Sequence, residues 1–266
     1  PPRSTLFPYT TLFRSVLTSA ALAVLRWTGA RLEVLGSINV GGSASPLEIG
    51  RKLFVGGGYA YVGYFSGYSI IDVRNPAAPV LTGSPPATQT AIHSLAAKGS
   101  GLLLATTSSA GPQTLALALY DVTNPQDVTR VVGSLSTPIS RAVAVDHGLA
   151  FVASGSGVLQ VVNYLAYDAL GRPPTVALTS NLEIRDGRAT IQEGRVVRLT
   201  AEVSDDVQVR NVEFWLDDQL LVSDGSFPFE HRFVAPAITV ARTQFTVRAR
   251  AFDTGGNVAW SEGGRG

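Results

Sequence analysis

The sequence predicts an all-β chain in two parts, and three observations carry that prediction. The phrase Asp72-Val73-Arg74-Asn75-Pro76 returns as Asp121-Val122-Thr123-Asn124-Pro125, 49 residues later. A period of this length marks a repeat architecture of the kind that builds propeller blades. The apolar runs of the first part are short and bounded by Gly, Pro, Asn or Ser, which is strand punctuation and not the long 3.6-residue period of helices. Beyond Arg172-Pro173-Pro174 the pattern changes to strict alternation, the mark of sheets with one wet and one dry face.

The repeat can be followed strand by strand. Gly58-Tyr59-Ala60-Tyr61-Val62, Gly101-Leu102-Leu103-Leu104-Ala105 and Gly148-Leu149-Ala150-Phe151-Val152 are equivalent runs whose starts lie 43 and 47 residues apart. Val34-Leu35-Gly36-Ser37, Val80-Leu81-Thr82-Gly83-Ser84 and Val131-Val132-Gly133-Ser134 form a second series, with glycines 47 and 50 residues apart. Asn75-Pro76 and Asn124-Pro125 interrupt any ladder, because proline lacks a backbone donor and its predecessor avoids helical angles. The Asp and Asn side chains of the phrase can close a turn on nearby amides. About four strands fit each period, enough for one propeller blade.

Tyr68-Ser69-Ile70-Ile71-Asp72-Val73-Arg74-Asn75-Pro76, followed by Pro79 to Ser84, resembles the LVIVD repeat of secreted and surface bacterial proteins. The resemblance implies a β-propeller and covers roughly residues 22–164. Leu159 to Tyr164 keeps the strand and departs from the turn motif. About three blades and part of another are expected, fewer than the roughly 4 to 8 that close a ring, so the first part reads as a partial (incomplete) β-propeller. No catalytic residue comes with this resemblance.

Residues 1–15 are set apart. The chain contains no methionine, and Thr5-Leu6-Phe7-Pro8-Tyr9-Thr10-Thr11-Leu12-Phe13-Arg14-Ser15 resembles a translated sequencing adapter. The apolar stretch Val16 to Leu25 is assigned to a worn blade and not to a signal peptide, because it aligns with the repeat and lacks a small-x-small cleavage site. The expected division is 1–15 as non-native sequence, 16–172 as LVIVD-type blades and 173–266 as a β-sandwich.

In the third segment Val197, Leu199, Ala201 and Val203 share one face of a strand, and Val247, Ala249 and Ala251 share one face of another, with Arg248 and Arg250 opposite. Gly225, Pro228 and Gly255-Gly256-Asn257 mark turns. About seven short strands are expected, as in an Ig-like β-sandwich. Pro174 to Thr179, Leu199 to Asp206, Val212 to Asp218 and Arg250 to Asn257 resemble a bacterial Ig-like domain. That resemblance implies an extracellular spacing or adhesion module. With no cysteine to bridge the sheets, packing around Trp215 is expected to hold them together.

Composition narrows the function classes. With 45% hydrophobic and 15% charged residues the chain can build packed cores. Zero cysteines exclude disulfides and thiolate metal sites. The net charge of +1 contains no basic cluster, and Lys52 and Lys98 are the only lysines, so a nucleic-acid groove is not expected. No run approaches the ~20 apolar residues of a membrane-spanning helix. No Gly-x-Ser-x-Gly elbow, Walker loop, dinucleotide fingerprint or His-Glu-x-x-His motif occurs, and Gly56-Gly57-Gly58 has no helix after it to cradle phosphate.

Two candidate sites remain. Asp205, Asp206, Asp253 and Asn257 belong to loops expected at one end of the sandwich, where hard oxygen ligands can hold calcium; the same residues also serve as turn formers. Tyr59, Tyr61 and Tyr64 form the densest part of an aromatic cluster. Exposed, they would stack on a carbohydrate or anchor a protein; buried, they would pack between blades. Asp72 and Asp121 read as turn formers or as a ring of channel ligands. His93, His147 and His231 are scattered and weak as zinc ligands. The expected function is a non-catalytic extracellular or cell-surface binding or adhesion module, with a surface protein or carbohydrate as partner. The alternatives are an accessory region of a secreted hydrolase and a purely structural surface stalk.

Overall fold

The computed structural model describes residues 13–18, 20–28, 30–40, 52–83, 91–98, 101–108, 115–137, 140–185 and 188–265. Most of the adapter-like stretch lies outside them. Its last three residues, Phe13 to Ser15, begin the first strand. Among the described residues there is no helix, and the fold is all-β.

The first part is a series of antiparallel meanders. Strands β1 (Phe13–Leu17), β2 (Ala21–Trp27) and β3 (Leu32–Asn39) form a three-stranded sheet. Strands β4 (Lys52–Gly56), β5 (Tyr59–Tyr64), β6 (Gly67–Asp72) and β7 (Val80–Gly83) form a four-stranded sheet in chain order. Strands β8 (Ala91–Lys98), β9 (Leu102–Ser108), β10 (Leu115–Asp121) and β11 (Val131–Ser136) repeat it. Strands β12 (Ser140–Asp146), β13 (Leu149–Ser154) and β14 (Leu159–Asn163) form a third, shorter copy. The two full copies share an irregularity: register slips between Ile70 and Ile71 in one and between Leu119 and Tyr120 in the other. A bulge at the same place in each copy adds local twist at the sheet edge.

The repeated phrase closes a turn in both full copies. Asp72 Oδ1 accepts from the Arg74 amide at 2.9 Å, and Asp121 Oδ1 accepts from the Thr123 amide at 2.9 Å. Asn75 Oδ1 accepts from the Ala77 amide at 3.2 Å, and Asn124 Oδ1 from the Gln126 amide at 3.1 Å. These are successive Asx turns, in which the Asp and Asn side-chain oxygens satisfy the backbone amides two residues on. The turn also explains the repeated glycine. A Cβ on Gly36 would lie 2.6 Å from the Ala77 carbonyl oxygen and 2.7 Å from that of Pro76. A Cβ on Gly83 would lie 2.6 Å from Val128 Cγ1 and closer still to the Pro125 carbonyl oxygen. The outer strands β3 and β7 therefore seat their glycines on the Asn-Pro turn of the following sheet. Gly133 has nothing within 4 Å, in keeping with a following segment that lacks the Asn-Pro phrase.

Residues 174 onward form a sandwich. One sheet orders β15 (Thr175–Ser180), β18 (Val196–Ser204) and β21 (Glu230–Val234). A short ribbon pairs β16 (Glu183–Arg185) with β17 (Arg188–Thr190). The second sheet orders β20 (Gln219–Asp224), β19 (Val209–Leu216), β22 (Thr246–Asp253) and β23 (Val258–Trp260), with β24 (Gly264–Arg265) also on β22. Inner residues of both sheets meet in one core containing Val197, Leu199, Ala201, Val212, Phe214, Val247, Ala249 and Ala251.

Trp215 does not organise that core. Glu213 and Trp215 share the outer face of β19, where the indole N–H donates to Glu213 Oε2 at 3.0 Å and the ring lies 5.6 Å from that of Trp260. Phe214, one residue earlier, is fully buried between the sheets. The period of two makes this unavoidable: a strand that turns Glu213 to the outer face, where it pairs with Arg250, turns Trp215 outward with it.

Two compact units result. One comprises residues 1–97, 102–143 and 153–158; the other comprises 98–101, 144–152 and 159–266. Within the second, the Ser226 hydroxyl donates to the Val145 carbonyl at 2.8 Å and the His147 amide to the Gly225 carbonyl at 3.1 Å. The Lys98 ammonium, only 2% exposed, donates to the Arg210 and Gly225 carbonyls at 3.2 and 3.1 Å and lies 5.2 Å from the Phe229 ring centroid. Burial pushes Lys98 down to about 8, against the opposing pull of Asp146 and Asp224.

Candidate metal centre

Three segments of the second unit converge around a set of carboxylates. Asp205 and Asp206 follow the end of β18, Asp253 ends β22 with Asn257 just before β23, and Asp168 lies in the connector between β14 and β15. One carboxylate oxygen each of Asp168, Asp205 and Asp206 lies within 4.8 Å of the others. Among the described residues no other group of three or more acidic or histidine side chains meets that spacing.

Local bonds hold the segments in place. The Asp168 amide donates to Thr254 Oγ1 at 3.1 Å, and the Thr254 hydroxyl donates to the Ala166 carbonyl at 2.7 Å. A Cβ at Gly255 would lie 2.6 Å from the Asp168 carbonyl oxygen, so the connector approaches this closely because residue 255 has no side chain. Asp253 Oδ1 accepts from the Asn257 amide at 2.8 Å, and the Asn257 side-chain amide donates to Asp168 Oδ2 at 3.2 Å.

The electrostatics are unbalanced. Asp253 is completely buried and its Oδ2 has no hydrogen-bond partner; Asp205 Oδ1 is enclosed and equally unpartnered. Burial raises the Asp205 carboxyl above its ordinary value, amide donors from Val207 and Gln208 oppose the rise, and repulsion from Asp253 and Asp206 adds to it. The cation beside the set is Arg172, 3.7 Å from Asp206 and largely in solvent. Enclosed carboxylate oxygens without donors are costly to keep unless a cation meets them.

All four residues read from the sequence as calcium ligands, Asp205, Asp206, Asp253 and Asn257, thus lie in this neighbourhood, and Asp168 joins them. Sequence reading missed Asp168 because it placed residues 16–172 in the blades, apart from the sandwich loops that the aspartate meets. The only local signal is Tyr167-Asp168-Ala169-Leu170-Gly171, an acid in a turn-like stretch.

The tyrosines are placed otherwise. Tyr61 and Tyr64 are 7% and 2% exposed, so they offer no stacking platform. Tyr64 shares a 2.7 Å hydrogen bond with the Ser69 hydroxyl and packs with Leu22, Val40, Val62 and Ile71. Burial drives the Tyr61 hydroxyl up to about 12. Tyr59 is half-buried under the Arg74 guanidinium, 5.4 Å from its ring centroid. The physical reason is that β5 is an inner strand covered on both faces, where alternation no longer separates wet from dry. The inter-blade packing reading replaces the exposed-platform reading. His93 is buried, and burial lowers its pKa; His231 stacks on Phe214; His147 sits at a hairpin tip at φ 44°.

Comparison with known proteins agrees with this architecture. Residues 50–85 match the LVIVD repeat and residues 174–249 match the bacterial Ig domain. The chain therefore carries an LVIVD repeat followed by a bacterial Ig-like domain. No curated protein matches. Among solved structures, a protein from Desulfotomaculum acetoxidans is 13% identical over 94% of this chain and 79% of its own, with a TM-score of 0.40. The fibronectin(III)-like modules of Clostridium thermocellum CbhA are 18% identical over 33% of this chain and 92% of theirs, with a TM-score of 0.26. The extracellular domain of the putative one component system BT4673 from B. thetaiotaomicron is 12% identical over 90% of this chain and 34% of its own, with a TM-score of 0.33. Among the described residues no helix is long and apolar enough to cross a membrane.

Proposed function

We propose that this chain is part of an exported, non-catalytic binding or adhesion protein that meets a protein or carbohydrate at the bacterial surface. The observation that carries the reading is the use of the repeated phrase. Asp72, Asn75, Asp121 and Asn124 are spent on turns, and the glycines of the outer strands are spent on seating those turns. Motif residues that build the scaffold leave recognition to edges and loops, as in other repeat proteins. The outer strands present aliphatic side chains to solvent, with Val80, Val131 and Val132 half-exposed or more. The bacterial Ig-like match at residues 174–249 supports an extracellular spacer beside the repeats.

The test is a binding survey of the purified full chain against surface glycans and extracellular proteins, run beside a panel of glycosidase, esterase and peptidase substrates. Saturable binding to one class is expected, weakened by Val132→Arg at an unchanged melting temperature. Turnover of any panel substrate, abolished by a point substitution in this chain, would refute the reading and assign an enzyme.

A further inference from the structure

We propose that Asp168, Asp205, Asp206 and Asp253, with Asn257, form a Ca²⁺ site that locks the connector after β14 onto the two loops at one end of the sandwich. The inference goes beyond the binding role above and does not depend on it. Calcium holds oxygen ligands at about 2.4 Å, so two oxygens on one ion lie at most about 4.8 Å apart. The carboxylates of Asp168, Asp205 and Asp206 already satisfy that limit.

A cluster of acids at loop tips is ordinary; the enclosed oxygens are not. Asp253 is fully buried, and its Oδ2 meets no donor. Asp205 Oδ1 is in the same condition. Asp253 adjoins the set through Asn257, whose backbone amide donates to Asp253 Oδ1 and whose side-chain amide donates to Asp168 Oδ2. Turn chemistry accounts for Asp205 Oδ2, which accepts from the Val207 amide at 3.0 Å, and for Asp253 Oδ1, but for neither orphaned oxygen. Asn257 brings a neutral amide against Asp168 Oδ2, and rotating that amide presents its oxygen instead. Calcium is favoured over magnesium because these ligands come from three separate segments, and Mg²⁺ demands near-ideal octahedral geometry at shorter distance.

The experiment titrates the chelator-treated full chain with Ca²⁺ and, separately, Mg²⁺ by calorimetry, and digests it with chymotrypsin, whose target Tyr167 is exposed beside Asp168. Saturable Ca²⁺ binding at one site is expected, with at least tenfold weaker Mg²⁺ binding and slower cleavage after Tyr167 when calcium is present. Asp168→Asn and Asp206→Asn should each weaken Ca²⁺ binding at least tenfold and abolish protection. Asp253→Asn should do the same. Asp206 is exposed, so its variant reports even if substitution at a buried acid prevents folding. No calcium heat, or unchanged binding in Asp206→Asn, would overturn the proposal and leave the cluster as turn chemistry.

Discussion

Lys98→Met should flatten the pH dependence of stability in the second unit. The ammonium is buried with two carbonyl acceptors where an ordinary lysine would sit in water. Burial lowers its pKa from 10.5 to about 8, with Asp146 and Asp224 pulling the other way. The folded state therefore holds Lys98⁺ less firmly than the unfolded chain does. Between pH 8 and 10.5 the unfolded chain binds more protons, so unfolding free energy rises with pH across that window. Below pH 8 the full cost of burying the charge is present, about 3 kcal/mol at 1.36 kcal/mol per unit. Going from pH 7 to pH 10 should recover about 2 kcal/mol of it. Within that unit Tyr164, raised by burial, opposes the trend only above about pH 10, where an unfolded tyrosine begins to ionise. The assay is urea unfolding at pH 7, 8, 9 and 10, followed by tryptophan fluorescence, since Trp215 and Trp260 both lie in the second unit. The quantity to read is the difference between wild type and variant at each pH. The variant strips a donor from the Arg210 and Gly225 carbonyls, a penalty of about 1–3 kcal/mol that does not vary with pH. A difference that stays constant within error from pH 7 to 10 would refute the depressed lysine.

Two further substitutions test the packing. Gly83→Ala should destabilise the first unit by about 1–3 kcal/mol through overpacking against Pro125 and Val128, whereas Gly133→Ala, with open space around it, should change the melting temperature little; equal effects would contradict the interlocking of copies. Phe214→Ala should cost the sandwich about 3–5 kcal/mol in urea unfolding, and Trp215→Ala clearly less, because the phenyl ring is in the core and the indole is on the outer face; the reverse order would return Trp215 to the core.

Repetition and alternation made much of the architecture legible in advance. Two copies of Asp-Val-x-Asn-Pro imply two similar turns, and local side-chain-to-backbone bonds need nothing distant to form them. The faces of β18 and β22 followed from their alternation, because one buried side forces a period of two. Trp215 was expected in the core in place of a missing disulfide, but the alternation that buries Phe214 turns its neighbour outward. Tyr61 and Tyr64 were ambiguous for a different reason, since an inner strand covered on both sides carries no alternation to read.

The all-sheet character, the copy-by-copy construction and the acids at the loop tips belong to the chain as written, since each arises from neighbours within a few residues. Which partners those acids meet does not. Asp168 stands 37 residues before Asp205 and 85 before Asp253, and only the folded path of the connector, held close by Thr254 and admitted by Gly255, brings them together. The same holds for Lys98, whose carbonyl acceptors lie more than a hundred residues away. Local chemistry is written in the order of residues; the desolvation and charge crowding that perturb these groups arise only when distant segments are packed side by side.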